Sequence, residues 1–154
     1  MVDQVINQLS KGENMSSRAC GISISGGKAM FVILDGVRDD LKIIETTFKK
    51  IQLDDDTNQD LIKSFYTAVE DFFKQYQIES IFIKKSNTSG KFTAGSKSFK
   101  IEALIQLMPY KVELVASQTI ASFEKKNKIP VDKFDKLFKY QVDAFKVGFY
   151  GIGL

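Results

Sequence analysis

From residue 18 onward the chain shows the apolar patterns of β-strands. The segment "ACGISIS" alternates apolar and polar residues, "AMFVILDG" is almost continuously apolar, and a third strand is predicted from Leu41 to Lys50. A continuous apolar run is typical of a strand that is covered on both faces. The glycines of "SGGK" invite comparison with a phosphate-binding loop, but their place between two strands favours a hairpin turn. We therefore predict three antiparallel strands joined by short turns.

Helical patterns alternate with strands in the rest of the chain. Apolar residues recur at helical spacing in "QDLIKSFYTAVEDFFKQYQ", and the preceding "DDDTN" supplies an N-cap. "IESIFIK" and "YKVELVA" are predicted strands, separated by a helix that Ser96 or Ser98 can cap. Ser117 is predicted to cap a short helix, and a long final helix follows. The apolar face predicted for that final helix consists of Val131, Phe134, Leu137, Phe138, Val142, Phe145 and Phe149.

The order of these elements, β-β-β-α-β-α-β-α-α, indicates the fold class. Hairpins come first and strand–helix–strand crossovers follow, which predicts an α/β fold with a mixed five-stranded sheet flanked by helices. Residues 1–17 stand apart, because their apolar residues form one face of a short helix that "SKGEN" ends. We predict an N-terminal leader or docking segment at 1–17 and a folded domain at 18–154.

Composition removes several classes of chemistry. The 154 residues contain no His and a single Cys, Cys20, which excludes an internal disulfide, His-based catalysis and the usual transition-metal sites. We expect Cys20 to be a small buried hydrophobic residue. No apolar run approaches the roughly 18 residues of a membrane span, and the N-terminus lacks a signal-peptide pattern. We therefore predict a cytoplasmic protein without membrane contact.

The charge distribution limits how the chain could bind nucleic acid. The net charge is +3, and all 22 basic residues except Arg18 and Arg38 are Lys. Arg supplies the bidentate contacts that identify guanine, so sequence-specific groove recognition is not expected. Contacts of Lys with backbone phosphates remain compatible with the composition.

A polar loop joins the fourth predicted strand to the second helix. It is rich in Lys, Ser, Thr, Asn and Gly and precedes a helix N-terminus, whose free N–H groups favour anions. It is either a phosphate-binding loop or a solvated connection. Its candidate phosphate-binding residues are Lys84, Lys85, Asn87, Ser89, Lys91, Ser96 and Lys97.

Three segments carry a resemblance to a known family: "CGISISGGKAMFVIL", "IESIFIKKSNTSGKFTAGSKSFKIEALIQLMPYKVELVASQTI" and "KYQVDAFKVGFYGI". Over about residues 18–152 the chain resembles the ribonuclease-H-like superfamily, and within it the Holliday-junction-resolvase branch. The middle segment is similar to a group of short bacterial proteins of this fold, which share a "GKF…G…FK.EA.IQL" pattern and have no established function. The resemblance implies that the fourth strand pairs with the first and that the fifth lies parallel to the fourth.

Enzymes of this superfamily hold two divalent metals with clustered carboxylates, and here those positions differ. Ser23 stands where the first-strand carboxylate is expected, and Lys84 and Lys85 stand where the fourth strand ends in Glu. Asp143 is the one plausible surviving carboxylate, with Asp135 a weaker candidate. The resemblance thus implies a domain with no catalytic residues, metal or cofactor. We expect Asp143 to pair with Lys84.

These observations leave three hypotheses about function. The favoured one is a non-catalytic domain that binds nucleic-acid backbone or another phosphate ligand through the polar loop. The alternative is a protein-interaction or structural subunit that binds a partner or itself through residues 1–14 or exposed Phe of the last helix. The least favoured is a metal-dependent nuclease.

Glu102 is expected on a solvated face, paired with Lys97 or Lys100.

Overall fold

The structure, a computed structural model, describes residues 17–90 and 94–154. Lys91 and the predicted docking segment at 1–14 lie outside the described residues. The strands are β1 (Arg18–Ser25), β2 (Lys28–Val37), β3 (Asp40–Ile43), β4 (Lys50–Gln52), β5 (Ser80–Lys84) and β6 (Lys111–Val115). The helices are α1 (Gln59–Gln75), α2 (Ser96–Gln106), α3 (Ser117–Lys126) and α4 (Val142–Gly151). None of these helices is long and apolar enough to cross a membrane.

The strands form one mixed sheet in the order β3-β2-β1-β5-β6, with β4 also paired to β2. β1, β2 and β3 are antiparallel neighbours, whereas β5 lies parallel to both β1 and β6. The α/β fold class and the placement of β5 beside β1 are therefore confirmed. Gly26 and Gly27 turn the β1–β2 hairpin at φ values of 58° and 75°, as a two-residue hairpin turn requires.

The third predicted strand is interrupted, which adds a sixth strand to the sheet. The Ile44 N–H donates to the Ile33 carbonyl and the Phe31 N–H donates to the Lys49 carbonyl, so the segment between them bulges away from β2. Phe48 in this bulge packs against Phe72 of α1, with ring centroids 4.6 Å apart. Burial of this ring explains why the apolar pattern continued through residues that are not in a strand.

Helices cover both faces of the sheet. Residues of α1 and α2, including Phe72, Phe73 and Ile105, pack on one face with Cys20. Residues of α3 and α4 pack on the other face. Cys20 is fully buried, as expected, and burial raises the pKa of its thiol, which keeps the thiol protonated and unreactive. α1 begins at the predicted cap, where the Asn58 side chain accepts a hydrogen bond from the Leu61 N–H.

The final helix is shorter than predicted. Only Val142–Gly151 is α-helical, and the preceding chain forms two single 3₁₀ turns, Val131–Lys133 and Lys139–Gln141. Val131, Phe134 and Leu137 pack on the same apolar cluster as α4, so they mimic a helical face without forming a helix. Phe145 and Phe149 are buried in α4, whereas Phe138 is exposed in the turn that precedes it.

The backbone of α4 lies directly against β1, because the facing residues, Gly148 of α4 and Gly21 of β1, have no side chain. A Cβ atom on Gly21 would lie 2.0 Å from the Ala144 carbonyl oxygen and 2.9 Å from the Gly148 nitrogen. At the other end of the helix, the Arg38 guanidinium donates hydrogen bonds to the Phe149 and Tyr150 carbonyls. This satisfies carbonyl groups that a helix C-terminus otherwise leaves unpaired.

We expect Gly21→Ala to lower the free energy of unfolding by about 3 kcal/mol, because the new methyl group meets helix backbone that no rotamer change can move. Denaturant unfolding measures the effect. Gly95→Ala is the matched control, since a Cβ there meets nothing within 4 Å, and it should cost no more than about 1 kcal/mol. Equal stability of the two variants would contradict the close approach of α4.

Candidate functional site

A cavity of about 760 Å³ opens at the carboxyl ends of the parallel strands β1 and β5. Ser23 and Ser25 of β1 form one wall, and Lys84 to Asn87 form another where β5 ends. The first turns of α2, α3 and α4 contribute Ser98, Ser117 and Asp143. Open α/β sheets bind their ligands at this edge, because the strands end there and helices begin.

Three helices direct N-terminal N–H groups towards this region. The residues that precede them, Gly95, Ala116 and Gln141, make no side-chain capping hydrogen bond to α2, α3 or α4. The prediction that Ser96 or Ser98 caps α2 was therefore wrong, and so was the prediction that Ser117 caps α3. Each serine lies within its helix rather than ahead of it. An uncapped N-terminus keeps its partial positive charge available to an anion.

Two buried serine hydroxyl groups in the cavity wall lack a partner among the described residues. Ser23 is 5% exposed and Ser86 is 8% exposed, and neither Oγ atom makes a hydrogen bond. Leaving a buried polar group unpaired costs about 1–3 kcal/mol. Such a cost within a cavity indicates a place where a ligand atom or water completes the hydrogen bond.

Positive charge dominates the cavity wall. Lys84, Lys85 and Lys139 line it together with one carboxylate, Asp143. The Lys84 Nζ lies 3.1 Å from the Asp143 Oδ2, which confirms the predicted pair. Lys85 and Lys139 make no side-chain ion pair within the described part of the chain. Their two ammonium groups are therefore available to an anionic ligand.

Glu102 is not on a solvated face, and that prediction was wrong. It is 6% exposed, and its Oε2 accepts a hydrogen bond of 2.6 Å from the Ser86 N–H. Glu102 lies on the same buried side of α2 as Ile101 and Ile105, which pack in the core between this helix and the sheet. The carboxylate anchors the start of the polar loop beneath the cavity.

The structure separates the predicted loop residues into two groups. Asn87 lines the cavity with Lys84 and Lys85, and Ser89 lines an adjoining pocket of about 280 Å³. Ser96 and Lys97 lie elsewhere: Ser96 Oγ donates to the Asp56 carboxylate, and Lys97 Nζ donates to the Asp54 carbonyl.

These last contacts tie the start of α2 to the acidic loop before α1. The hydrogen bond from Ser96, together with the nearby Lys100 ammonium, lowers the pKa of Asp56 below its ordinary 3.8. Ser96 and Lys97 thus have partners within the protein, which makes them weaker candidates for phosphate contact than the residues that line the cavity.

Sequence reasoning did not assign several polar residues that line the cavity to a site: Ser25, Ser86, Ser98, Ser117, Lys139 and Tyr140. Ser86 stood inside the polar loop and carried no distinguishing signal. Lys139 and Tyr140 were assigned to a helix interior, and only the break before α4 brings them to the cavity. The spacing of the apolar residues, which includes Phe138, gave no sign of this break.

The side chains that line the cavity do not fit a pair of divalent ions. The Lys84 ammonium occupies the space beside the one nearby carboxylate, whereas Mg²⁺ requires a shell of oxygen ligands. Asp135 lines a different pocket with Lys133 and Lys136. Among residues 17–90 and 94–154, no group of three or more His, Cys, Asp or Glu side chains is arranged to hold a metal ion.

Comparison with protein families gives one match. The sequence model of the family described as "Protein of unknown function (DUF3010)" matches residues 17–151. The chain belongs to this family. A comparison with curated protein sequences finds no match.

Comparison with solved structures identifies the fold. RuvC from Thermus thermophilus superimposes with a TM-score of 0.65 at 6% identity, covering 86% of this chain and 91% of that one. T. thermophilus RuvC in complex with Holliday junction substrate gives 0.63 at 5% identity, with 86% and 90% covered. A fowlpox virus Holliday junction resolvase gives 0.46 at 13% identity, with 88% and 97% covered. The two RuvC superpositions show that the DUF3010 chain has a ribonuclease-H-like fold. At such low identities the likeness shows the fold alone.

We expect Glu102→Ala to destabilise the protein by about 1–3 kcal/mol, because it leaves the Ser86 N–H buried and unpaired. The Ser86 amide should also exchange its hydrogen faster, which NMR can measure residue by residue. Glu102→Gln is the matched control, since its amide oxygen keeps an acceptor in place. If both variants match the wild type in stability and exchange, the carboxylate does not anchor the loop.

Proposed function

We propose that this DUF3010 protein binds the phosphate backbone of nucleic acid in the cavity at the ends of β1 and β5, without a metal ion and without cleaving it. The observation that carries the proposal is the pair of buried hydroxyls of Ser23 and Ser86, for which residues 17–90 and 94–154 supply no hydrogen-bond partner. Each hydroxyl can turn towards the cavity and donate to a phosphate oxygen, which would complete a hydrogen bond that no described residue makes.

The charges around these hydroxyls favour an anion. Lys85 and Lys139 supply ammonium groups, and the uncapped N-termini of α2 and α3 supply N–H groups, whereas at α4 the Val142 N–H already donates to the Lys139 carbonyl. The Lys84–Asp143 pair is partly exposed, at 32% and 57% of the two side chains. It is weak enough for phosphate to compete with Asp143 for the ammonium.

The contacts of the two arginines favour binding that does not depend on nucleotide sequence. Arg18 donates to the Asp35 carboxylate and the Tyr76 carbonyl, and Arg38 donates to carbonyls at the end of α4. Both guanidinium groups are thus engaged in holding the fold. Lysine contacts with phosphate remain, and these position nucleic acid without reading its bases.

The same residues support the proposal that the bound backbone is not cleaved. Phosphodiester hydrolysis in this superfamily needs cations held by carboxylates, and they would activate water and stabilise the leaving oxygen. Here the Lys84 ammonium neutralises the one carboxylate beside the cavity. A lysine ammonium can hold a phosphate, but it does not generate a hydroxide nucleophile at neutral pH.

We expect fluorescent oligonucleotides to bind at low salt, with an affinity that falls steeply as salt increases. Lys84→Ala and Lys85→Ala should each weaken binding and reduce the log–log salt slope by about 0.7 on single strands. Lys63→Ala is the control, because Lys63 is an exposed lysine on α1 that does not line the cavity. Fluorescence anisotropy across a salt series measures both quantities.

Two outcomes would contradict this proposal. If no oligonucleotide binds at low salt, or if the cavity variants keep the wild-type slope, the lysines do not contact phosphate and the protein-interaction hypothesis takes precedence. If oligonucleotides or branched substrates are cleaved when Mg²⁺ or Mn²⁺ is added, and Asp143→Ala abolishes the cleavage, the domain is a nuclease.

Ser23→Ala and Ser86→Ala separate binding from folding. Each change removes a buried hydroxyl that has no partner in the part of the chain that the structure describes, so stability should be unchanged or slightly raised. Affinity for oligonucleotides should fall about three- to tenfold per hydroxyl, the size of one lost hydrogen bond. Thermal unfolding and anisotropy measure the two effects. Unchanged affinity in both variants would remove these serines from the site.

A further inference from the structure

Two exposed aromatic rings stand beside the cavity. Phe138 and Tyr140 are stacked, with ring centroids 5.4 Å apart and planes 5° from parallel. Phe138 is 51% exposed and Tyr140 is 37% exposed. Tyr140 itself lines the cavity, so the stacked pair continues the cavity wall. An exposed pair of parallel rings is unusual, because aromatic side chains normally bury their large apolar area.

The turn that carries these rings is fixed to the sheet. The Gln141 side chain is buried, its Nε2 donates to the Phe31 carbonyl at 2.9 Å, and its Oε1 accepts from the Phe138 N–H at 3.1 Å. Both polar ends of the amide are therefore satisfied by backbone of the turn and of β2. The rings are held in place before any ligand arrives, which reduces the entropy lost on binding.

Lysines surround the stacked pair. The Lys50 Nζ lies 4.5 Å from the Tyr140 ring centroid, and the Lys49 Nζ lies 5.9 Å from that of Phe138. Lys139 lies between the two aromatic residues in the sequence and lines the cavity. Aromatic rings interleaved with lysines are the recurring composition of surfaces that bind single-stranded nucleic acid.

We propose that Phe138 and Tyr140 stack an unpaired base of the strand whose phosphate occupies the cavity, so that the site selects single strands over duplex. This inference rests on the proposed function. The bases of a duplex are stacked on one another and present only their edges to a protein. An unpaired base exposes its faces, and stacking on an aromatic ring tolerates any base.

The lysine ammonium on Tyr140 does not prevent this contact. A cation–π contact at an exposed site is weaker than stacking of a base on an aromatic ring, so an incoming base displaces the ammonium. The freed Lys50 side chain then reaches the phosphates on either side of the stacked base. Lys49 is paired with Glu45, so the positive charge beside the rings comes from Lys50 and Lys139, and it favours this polyanion over an uncharged apolar partner.

The experiment compares three ligands of equal length: a thymine single strand, an abasic single strand and a duplex. Anisotropy at low salt should show the thymine strand binding more tightly than either of the other two. Phe138→Ala and Tyr140→Ala should each weaken binding of the thymine strand on the order of tenfold, while binding of the abasic strand changes little. Tyr140→Phe should retain wild-type binding, because it keeps the ring.

Leu107→Ala is the control for loss of an exposed apolar side chain. Leu107 is 75% exposed at the end of α2, away from the cavity. It should bind all three ligands as the wild type does, and thermal unfolding should show that every variant is folded. Both rings are partly exposed, so their loss should not unfold the protein.

The outcomes distinguish this inference from the proposed function. If the abasic strand and duplex bind as tightly as the thymine strand, or if ring removal weakens all ligands equally, stacking is excluded while phosphate binding stands. If none of the three ligands binds at low salt, both proposals fail. Stable pairing of the wild-type chain with itself that Phe138→Ala abolishes would instead assign the rings to a protein interface.

Discussion

The backbone contact between α4 and β1 at Gly21 determines the geometry of the cavity. Because no side chain separates the Ala144 carbonyl from the strand, α4 rests on the centre of the sheet. Asp143, in the first turn of that helix, is thereby brought to Lys84 at the end of β5. The same placement sets the preceding turn, where Gln141 reaches β2 and holds Phe138 and Tyr140 beside the cavity.

Polar groups around the cavity differ in how completely they are satisfied. Below it, Glu102 and the Ser86 N–H pair with one another, and at the outer side of α2 Ser96 pairs with Asp56. Within it, the hydroxyls of Ser23 and Ser86 have no partner among the described residues. Polar groups that lack a hydrogen-bond partner but are held in place by well-paired neighbours are typical of binding sites, where stability is sacrificed for function.

A shared fold does not determine what happens at this edge of the sheet. The ribonuclease-H-like fold brings strand ends and helix N-termini together, but the side chains at that edge decide the chemistry. In the DUF3010 chain this edge of the sheet carries Ser23, Lys84 and Lys85. Ammonium groups and helix N-termini attract phosphate directly, whereas carboxylates require a bridging cation. The proposed function therefore depends on the local charges and not on the fold.

The sequence by itself determined the order of strands and helices, the Gly26–Gly27 hairpin and the Asn58 cap of α1, because periodicity and turn chemistry act over a few residues. With the resemblance to a known fold, it also predicted the Lys84–Asp143 pair.

Only the tertiary structure decided the break in the third strand, the shortened last helix and the burial of Glu102. Each of these depends on a contact between segments far apart in the chain: Phe48 with α1, Gln141 with β2, and Glu102 with the loop after β5. The local sequence pattern does not identify such distant partners, because the same spacing of apolar residues occurs in a helix and in an irregular segment that packs on the same core.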